Sequence, residues 1–260
     1  KSERNGQIMK KSFIALMLSL ILSLGMVVNA FATDNNVNYY TGAIPEEGTC
    51  VYAPVDDEYS LTEEQLCFLA EKQAFFESLS ENSLEASSKG TRSVTWKYLS
   101  GGFTVYPQLN NHYCGPATVY NTLYKLNGSS PSQYIIALMC GTNSNGTYLS
   151  KMVKYLNKKI STRSYDQKNG VNKTDMINYL YSGLCYEMPP IIGFACSTSN
   201  GWAYNSNGHF VNINGCKTDG SMFNLADPLI GYLGLTGAFY DKTSTQLYNA
   251  YNSVNIGLAW

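Results

Sequence analysis

The sequence predicts an α+β fold, with helices first and an antiparallel sheet second. Three observations carry that expectation. Between residues 114 and 181 apolar side chains recur at helical intervals, most plainly at Leu149, Met152, Val153 and Leu156. From Pro189 onward the texture changes to short runs suited to strands: Ile191-Ile192-Gly193-Phe194-Ala195, His209-Phe210-Val211-Asn212-Ile213-Asn214-Gly215 and Met222-Phe223-Asn224-Leu225-Ala226. The two kinds of segment are grouped rather than interleaved, which argues against βαβ crossovers.

Residues 1–8 are polar and precede Met9, so the start reads as placed too early. Lys10 and Lys11 then lead into an apolar run from Phe13 to Val28, closed by Ala30-Phe31-Ala32. A charged head, a run shorter than the ~20 residues of a membrane span and small residues at the cleavage positions make 1–32 a secretory signal peptide. The mature protein is expected to be secreted or at the cell surface, with no membrane attachment after cleavage.

Hydrophobic residues make up 44% of the chain and aromatic ones 13%, enough to bury the core of one modest enzyme domain. The net charge of −1 hides a split: 33–93 holds twelve acidic and three basic side chains, 94–260 six acidic and eleven basic. Opposite signs favour docking of one segment on the other. In the acidic segment Thr62 and Gln65 form a capping box, Leu61 and Leu66 can staple across it, and Leu66, Leu69, Phe76 and Leu79 mark the apolar face of a helix over 63–80. A polar linker, Ser87-Ser88-Lys89-Gly90-Thr91-Arg92-Ser93, follows. Two readings of 33–93 stay open. It is a pro-segment that shields the site as the enzyme's own inhibitor until removed, or an extension that packs on the domain.

The domain proper is expected over 94–260. Trp96, Tyr98, Phe103, Val105 and Tyr106 read as a strand pair around Gly101-Gly102. A helix should run from Cys114 to about Leu126 and stop at Asn127-Gly128. A second has Ser130 as cap, Pro131 at its first position and Gln133 closing a capping box; a third carries the Leu149 to Leu156 pattern; a fourth spans 174–181 and ends at Gly183. After Pro228 a weak helix over 245–251 completes the fold.

The chemistry concentrates on Gln108-Leu109-Asn110-Asn111-His112-Tyr113-Cys114-Gly115-Pro116. An Asn-rich turn delivers one cysteine to the first turn of a helix, where unpaired amides and the positive end of the helix dipole favour a thiolate. A thiolate nucleophile needs an imidazole to carry the proton and a group to orient that imidazole. The chain has two histidines. His112 sits on the incoming turn and must fold back sharply to reach the sulfur, so it reads as a turn or cleft-lining residue. His209 opens a strand whose hairpin returns Asp227 beside it. His209 is therefore the candidate acid and base, and Asp227 its orienting partner.

Gln108 six residues before Cys114-Gly115-Pro116-Ala117, then Gly208-His209-Phe210-Val211 on a strand, then Ala226-Asp227-Pro228 after a hairpin, resemble the papain-like cysteine peptidases. They resemble in particular the bacteriocin-processing (double-glycine leader) peptidase superfamily and its stand-alone secreted relatives. The resemblance covers roughly 94–228. It implies a two-lobe fold, a helical lobe with the nucleophile packed on an antiparallel β lobe with the base, and hydrolysis of a peptide or protein substrate. It also implies that Gln108 supplies an oxyanion donor together with the Cys114 backbone N–H.

Beside Cys114 stand Cys50, Cys67, Cys140, Cys185, Cys196 and Cys216, which could pair in any of 15 ways or remain free. No Cys-x-x-Cys and no Gly-rich phosphate loop is present, so neither metal, cofactor nor nucleic-acid partner is expected. Two other function classes fit the same residues: an acyl transferase or cell-wall peptide hydrolase on the same triad, and a secreted binding module without catalysis.

Overall fold

The computed structural model describes residues 43–44, 59–85, 93–231 and 235–260. The apolar run and cleavage site of the expected signal peptide, Cys50 and nearly all of the linker at 87–93 lie outside them.

Ala43–Ile44 (β1) pairs in parallel with Thr147–Tyr148, the later strand β3. The first helix, α1, runs over Glu63–Glu85 and starts where the sequence places it. The Gln65 N–H donates to Thr62 Oγ1 at 3.2 Å and the Thr62 N–H to Gln65 Oε1 at 3.0 Å, so the reciprocal cap forms. The buried face matches the expected one in part: Phe76 is buried and Leu69 and Leu79 half-buried, but Leu66 is 53% exposed, and the most buried side chains beside Phe76 are the polar Gln65 and Lys72, at 1% and 0%. Gln65 Nε2 donates to the carbonyls of Asn157 (2.8 Å) and Ile160 (2.6 Å). Lys72 Nζ donates to the main-chain oxygens of Ser164 (2.9 Å) and Trp260 (2.6 Å). Polar tips that satisfy main-chain acceptors bury as readily as leucine, and apolar periodicity does not register them.

Trp96–Tyr98 (β2) is a strand, but 103–106 is not its partner; β2 instead pairs with residues 215–217 of a later strand. The backbone of Tyr106 is satisfied by the Asn121 side chain, which accepts from its N–H at 2.9 Å and donates to its carbonyl at 3.3 Å. With those groups taken, Phe103 and Val105 enter the core from an irregular segment.

Cys114–Asn127 (α2) ends on Gly128, whose φ of +73° closes the helix in the left-handed region open to glycine. Gln133–Met139 (α3) starts later than the sequence suggests, capped by Ser132 rather than Ser130. Gln133 is buried for another purpose: its Oε1 accepts from the Leu109 N–H (3.1 Å) and its Nε2 donates to the Pro107 carbonyl (2.8 Å). After β3, Leu149–Lys159 (α4) buries Leu149, Met152, Val153 and Leu156 as the spacing predicts. Gln167–Lys168 forms β4. Lys173–Cys185 (α5) runs through Gly183 instead of stopping there. A Cβ at Gly183 would lie 2.7 Å from Pro190 Cγ, so this glycine serves close packing.

The remaining strands are Ile191–Cys196 (β5), Ser206–Lys217 (β6), Met222–Ala226 (β7) and Phe239–Thr243 (β8), then helix Ser244–Asn252 (α6) and Leu258–Ala259 (β9). The antiparallel sheet has the order β4-β9-β5-β6-β7-β8, with β2 also on β6. It is covered on both sides. Ile191 and Phe210 pack with Val119, Leu123 and Leu149 of α2 and α4, whereas Ile192, Val211 and Ile213 pack with Leu180 of α5 and Leu247 of α6. Helices first and sheet second gives the α+β fold that the sequence predicts. Helix α1 joins the second side, where Phe76 stacks on Tyr179 with ring centres 3.9 Å apart.

Candidate active site

Two hydrogen bonds fix α2 on the central strand β6. Thr118 Oγ1 donates to the Phe210 carbonyl at 3.2 Å, and Asn212 Nδ2 donates to Thr122 Oγ1 at 2.9 Å. Four helical residues advance about 6 Å and two strand residues about 6.7 Å. Threonines four apart on the helix therefore meet positions two apart on the strand. One step back along both places Cys114 opposite Gly208 and His209. At the helix start Gly115 is needed because a Cβ there would come within 2.8 Å of Thr147.

The turn before Cys114 is organised by Asn110. Its carbonyl accepts from Gln108 Nε2 (2.8 Å) and from the Tyr113 N–H (3.2 Å), and its Oδ1 accepts from the His112 N–H (2.9 Å). Gln108 is buried, and its Oε1 has no hydrogen-bond partner. The Gln108 N–H donates to the Pro228 carbonyl at 2.8 Å, which links this turn to the residue after Asp227. His112 is half-buried, and its Nδ1 has no hydrogen-bond partner. It takes part in the turn through its backbone.

His209 and Asp227 are both fully buried, and His209 Nε2 lies 2.7 Å from Asp227 Oδ1. Phe194 and Tyr204 stand edge-on to the imidazole at 5.8 and 5.6 Å, walling in its plane. Burial alone would discharge the ring. The Asp227 charge and hydrogen bond, together with the interaction with the Cys114 side chain, outweigh that and raise its pKa to about 10. With Nε2 committed to Asp227, Nδ1 is the nitrogen left to serve the sulfur, and it has no hydrogen-bond partner in the resting structure. Burial pushes the Asp227 carboxyl up, but the His209 charge and hydrogen bonds from His209, Tyr204 and Tyr240 hold it below the ordinary value.

The structure thus gathers Cys114, His209 and Asp227, and ties Gln108 to the same corner through the turn and Pro228. It adds two groups that the sequence reading lacks. Tyr204 donates to Asp227 Oδ2 at 2.6 Å and Tyr240 to the same oxygen at 2.7 Å. They lie 23 residues before and 13 after the aspartate, in a polar loop and in strand β8, with no motif around them. Their one sequence signal is that a buried carboxylate beside a single imidazole still requires donors for its remaining lone pairs. A cavity of about 590 Å³ is lined by Ser197, Asn200, Trp202, Asn207, Gln246 and Asn249, and none of Gln108, Cys114, His209 and Asp227 lines it. Cys67, Cys114, Cys140, Cys185, Cys196 and Cys216 are all free thiols, so none of the possible disulfides among these six forms.

No protein-family model and no curated protein matches the sequence. Solved structures do. One is the peptidase domain of Streptococcus ComA, a bifunctional ABC transporter of a quorum-sensing pathway, at 21% identity and a TM-score of 0.41, covering 60% of this chain and 95% of that one. A C39-like peptidase from Bacillus anthracis matches at 14% identity and a TM-score of 0.45, covering 64% and 96%. A double-glycine-motif protease from an AMS/PCAT transporter, solved with its leader peptide, matches at 15% identity and a TM-score of 0.37, covering 62% and 94%. Each of these three solved structures, to which this chain is similar, is described as a peptidase or protease.

Proposed function

We propose that this chain is a cysteine peptidase with Cys114 as nucleophile, His209 as acid and base and Asp227 as the anion that orients the imidazole. The observation that carries this reading is the imidazole itself. One of its nitrogens is bonded to a buried carboxylate, and the other is left for a cysteine at a helix start. The Cys114 thiolate attacks a peptide carbonyl carbon and forms the sulfur–carbon bond. The oxyanion is held by the Cys114 N–H and the Gln108 amide, and the imidazolium gives its Nδ1 proton to the leaving amine as the carbon–nitrogen bond breaks. Water, deprotonated by the now neutral His209, then releases the acid product and restores the thiolate.

Hydrolysis of a fluorogenic peptide library by the purified protein and its variants tests this. Cys114→Ala should abolish turnover, and Gln108→Ala should lower it by about a hundredfold; full activity in Cys114→Ala would contradict the reading. The charged head, apolar run and small-residue site before residue 33 support export of the protein, which the mass and location of the expressed chain would test. Among the described residues, α1 bonds to Asn157, Ile160, Ser164 and Trp260 and to none of the four site residues. α1 thus packs as an extension would, but β1 of the same segment pairs with Thr147–Tyr148, and Thr147 closes on Gly115 next to Cys114, so the inhibitor reading stands beside it. Activity before and after cutting near Arg92 decides, equality marking an extension and a rise an inhibitor.

A further inference from the structure

The four hydrogen bonds on Asp227 have a stoichiometry that constrains the proton. Oδ1 receives His209 Nε2 (2.7 Å) and the Leu229 N–H (2.8 Å); Oδ2 receives Tyr204 (2.6 Å) and Tyr240 (2.7 Å). A phenol has one proton to give. The two tyrosine oxygens are 3.4 Å apart, farther than either is from Oδ2, and an anionic acceptor at 2.6–2.7 Å outcompetes a neutral hydroxyl for each proton. Four donors leave the carboxylate no position for a proton of its own. The same donors fix the rotation of the carboxylate, and hence the direction in which Oδ1 meets the imidazole.

We propose that Tyr204 and Tyr240 are positioning residues of this site: together they keep Asp227 unprotonated and its Oδ1 turned to the imidazole, so that the shared proton stays on His209 and Cys114 keeps its reactivity as the solution is acidified. This inference rests on the cysteine-peptidase reading. The hydroxyls come from independent elements, the loop before β6 and strand β8, and converge on a carboxylate at the end of β7. Neither side chain touches the sulfur. The titratable groups facing the carboxylate are His209 from β6, Tyr204, Tyr240, and Cys196 at the end of β5, whose thiol is pushed up by burial and by the Asp227 charge; Cys114 acts through the ring. Burial and the same carboxylate push both phenols well above their ordinary range, so they remain donors throughout the working range.

The experiment is the pH profile of Cys114 alkylation by iodoacetamide in the full chain, followed by peptide mapping, which requires no knowledge of the substrate. In the doubly substituted Tyr204→Phe, Tyr240→Phe protein the acid limb should move upward by about one pH unit or more, since each donor to a carboxylate favours its anion by an amount of that order. In an Asp227→Asn background, where there is no carboxylate to protonate, the same two substitutions should leave the limb in place. Tyr240→Phe alone, at the less buried of the two positions, should give a smaller shift and serves if the double variant does not fold. Selective labelling of Cys114 in the unsubstituted protein, with an acid limb unmoved in either variant, would overturn the inference while leaving the peptidase reading intact. Failure of the unsubstituted protein to label at Cys114 would overturn both.

Discussion

His209 and Lys72 are both withdrawn from solvent, yet the first lies against a carboxylate and the second against main-chain oxygens and aromatic rings. Burial acts in the same direction on both, towards loss of the proton. For His209 the Asp227 anion overcomes it, and the pKa rises from 6.5 to about 10. For Lys72 burial prevails over the charge of Asp166, and the pKa falls from 10.5 to about 7. The Ser164 carbonyl, a main-chain oxygen of Trp260 and the face of the Trp260 ring, 4.6 Å from Nζ, hold the side chain in place. The fold keeps the charge that has a carboxylate beside it, and holds the other side chain as a structural tie between α1 and the domain.

The comparison breaks most severely if Asp227 is neutralised. Asp227→Asn should reduce Cys114-dependent turnover by about a hundredfold to ten-thousandfold, because the imidazole loses both its orientation and the charge that keeps it protonated. Peptide hydrolysis at neutral pH measures it. At the other buried cation, Lys72→Ala removes packing against three rings, takes the Lys72 donor from the Ser164 oxygen and leaves the Trp260 oxygen with the longer bond from the Asp166 N–H at 3.3 Å. Urea unfolding should show a loss of about 2–4 kcal/mol, with Cys114 alkylation unchanged.

The two groups also impose opposite pH dependences on stability. His209 is protonated in the native state up to about 10 but only to 6.5 when unfolded, so its contribution is full below 6.5 and is lost as pH rises through 10. Lys72 is the reverse: the unfolded chain binds its proton up to 10.5 and the native one only to about 7, so stability rises with pH between those values. From about 7 to about 10 the two slopes oppose one another. Thermal unfolding across that window should therefore fall with pH in Lys72→Met and rise with pH in His209→Gln. The same sign in both would remove the contrast. The smallest expected effect is at Gln65, where Gln65→Ala loses half of the cap and the bonds to Asn157 and Ile160, about 1–2 kcal/mol in the same urea assay.

These two regions also mark where the sequence was legible. The candidate site could be read because its chemistry is scarce: two histidines, one cysteine at a helix start and one aspartate after a hairpin leave few choices. The helix bearing Cys114 and the β6–β7 hairpin follow from local patterns, and the structure places them accordingly. What could not be read is polar and long-range. The buried face of α1 is led by Gln65 and Lys72, whose acceptors lie about ninety or more residues away. Gln133 looks like a capping residue and is instead bonded to Pro107 and Leu109. Tyr240 belongs to a strand that pairs with β7, in a stretch with no alternating pattern strong enough to reveal it. Residues 103–106 alternate like a strand, yet the backbone of Tyr106 is claimed by Asn121 from a helix. Hydrophobic periodicity reports which faces avoid water; it does not report which polar side chains find partners inside.

The most direct test of the central claim is the protonation state of one ring. The chain holds two histidines, so a sample isotopically labelled on the histidine ring nitrogens gives two imidazole signals, assigned by their loss in His209→Gln and His112→Gln. The account predicts that the His209 ring keeps both protons from neutral pH up to about 10, and that Asp227→Asn lowers that limit. A His209 ring that loses its proton near the ordinary value of 6.5 in the intact protein would contradict it.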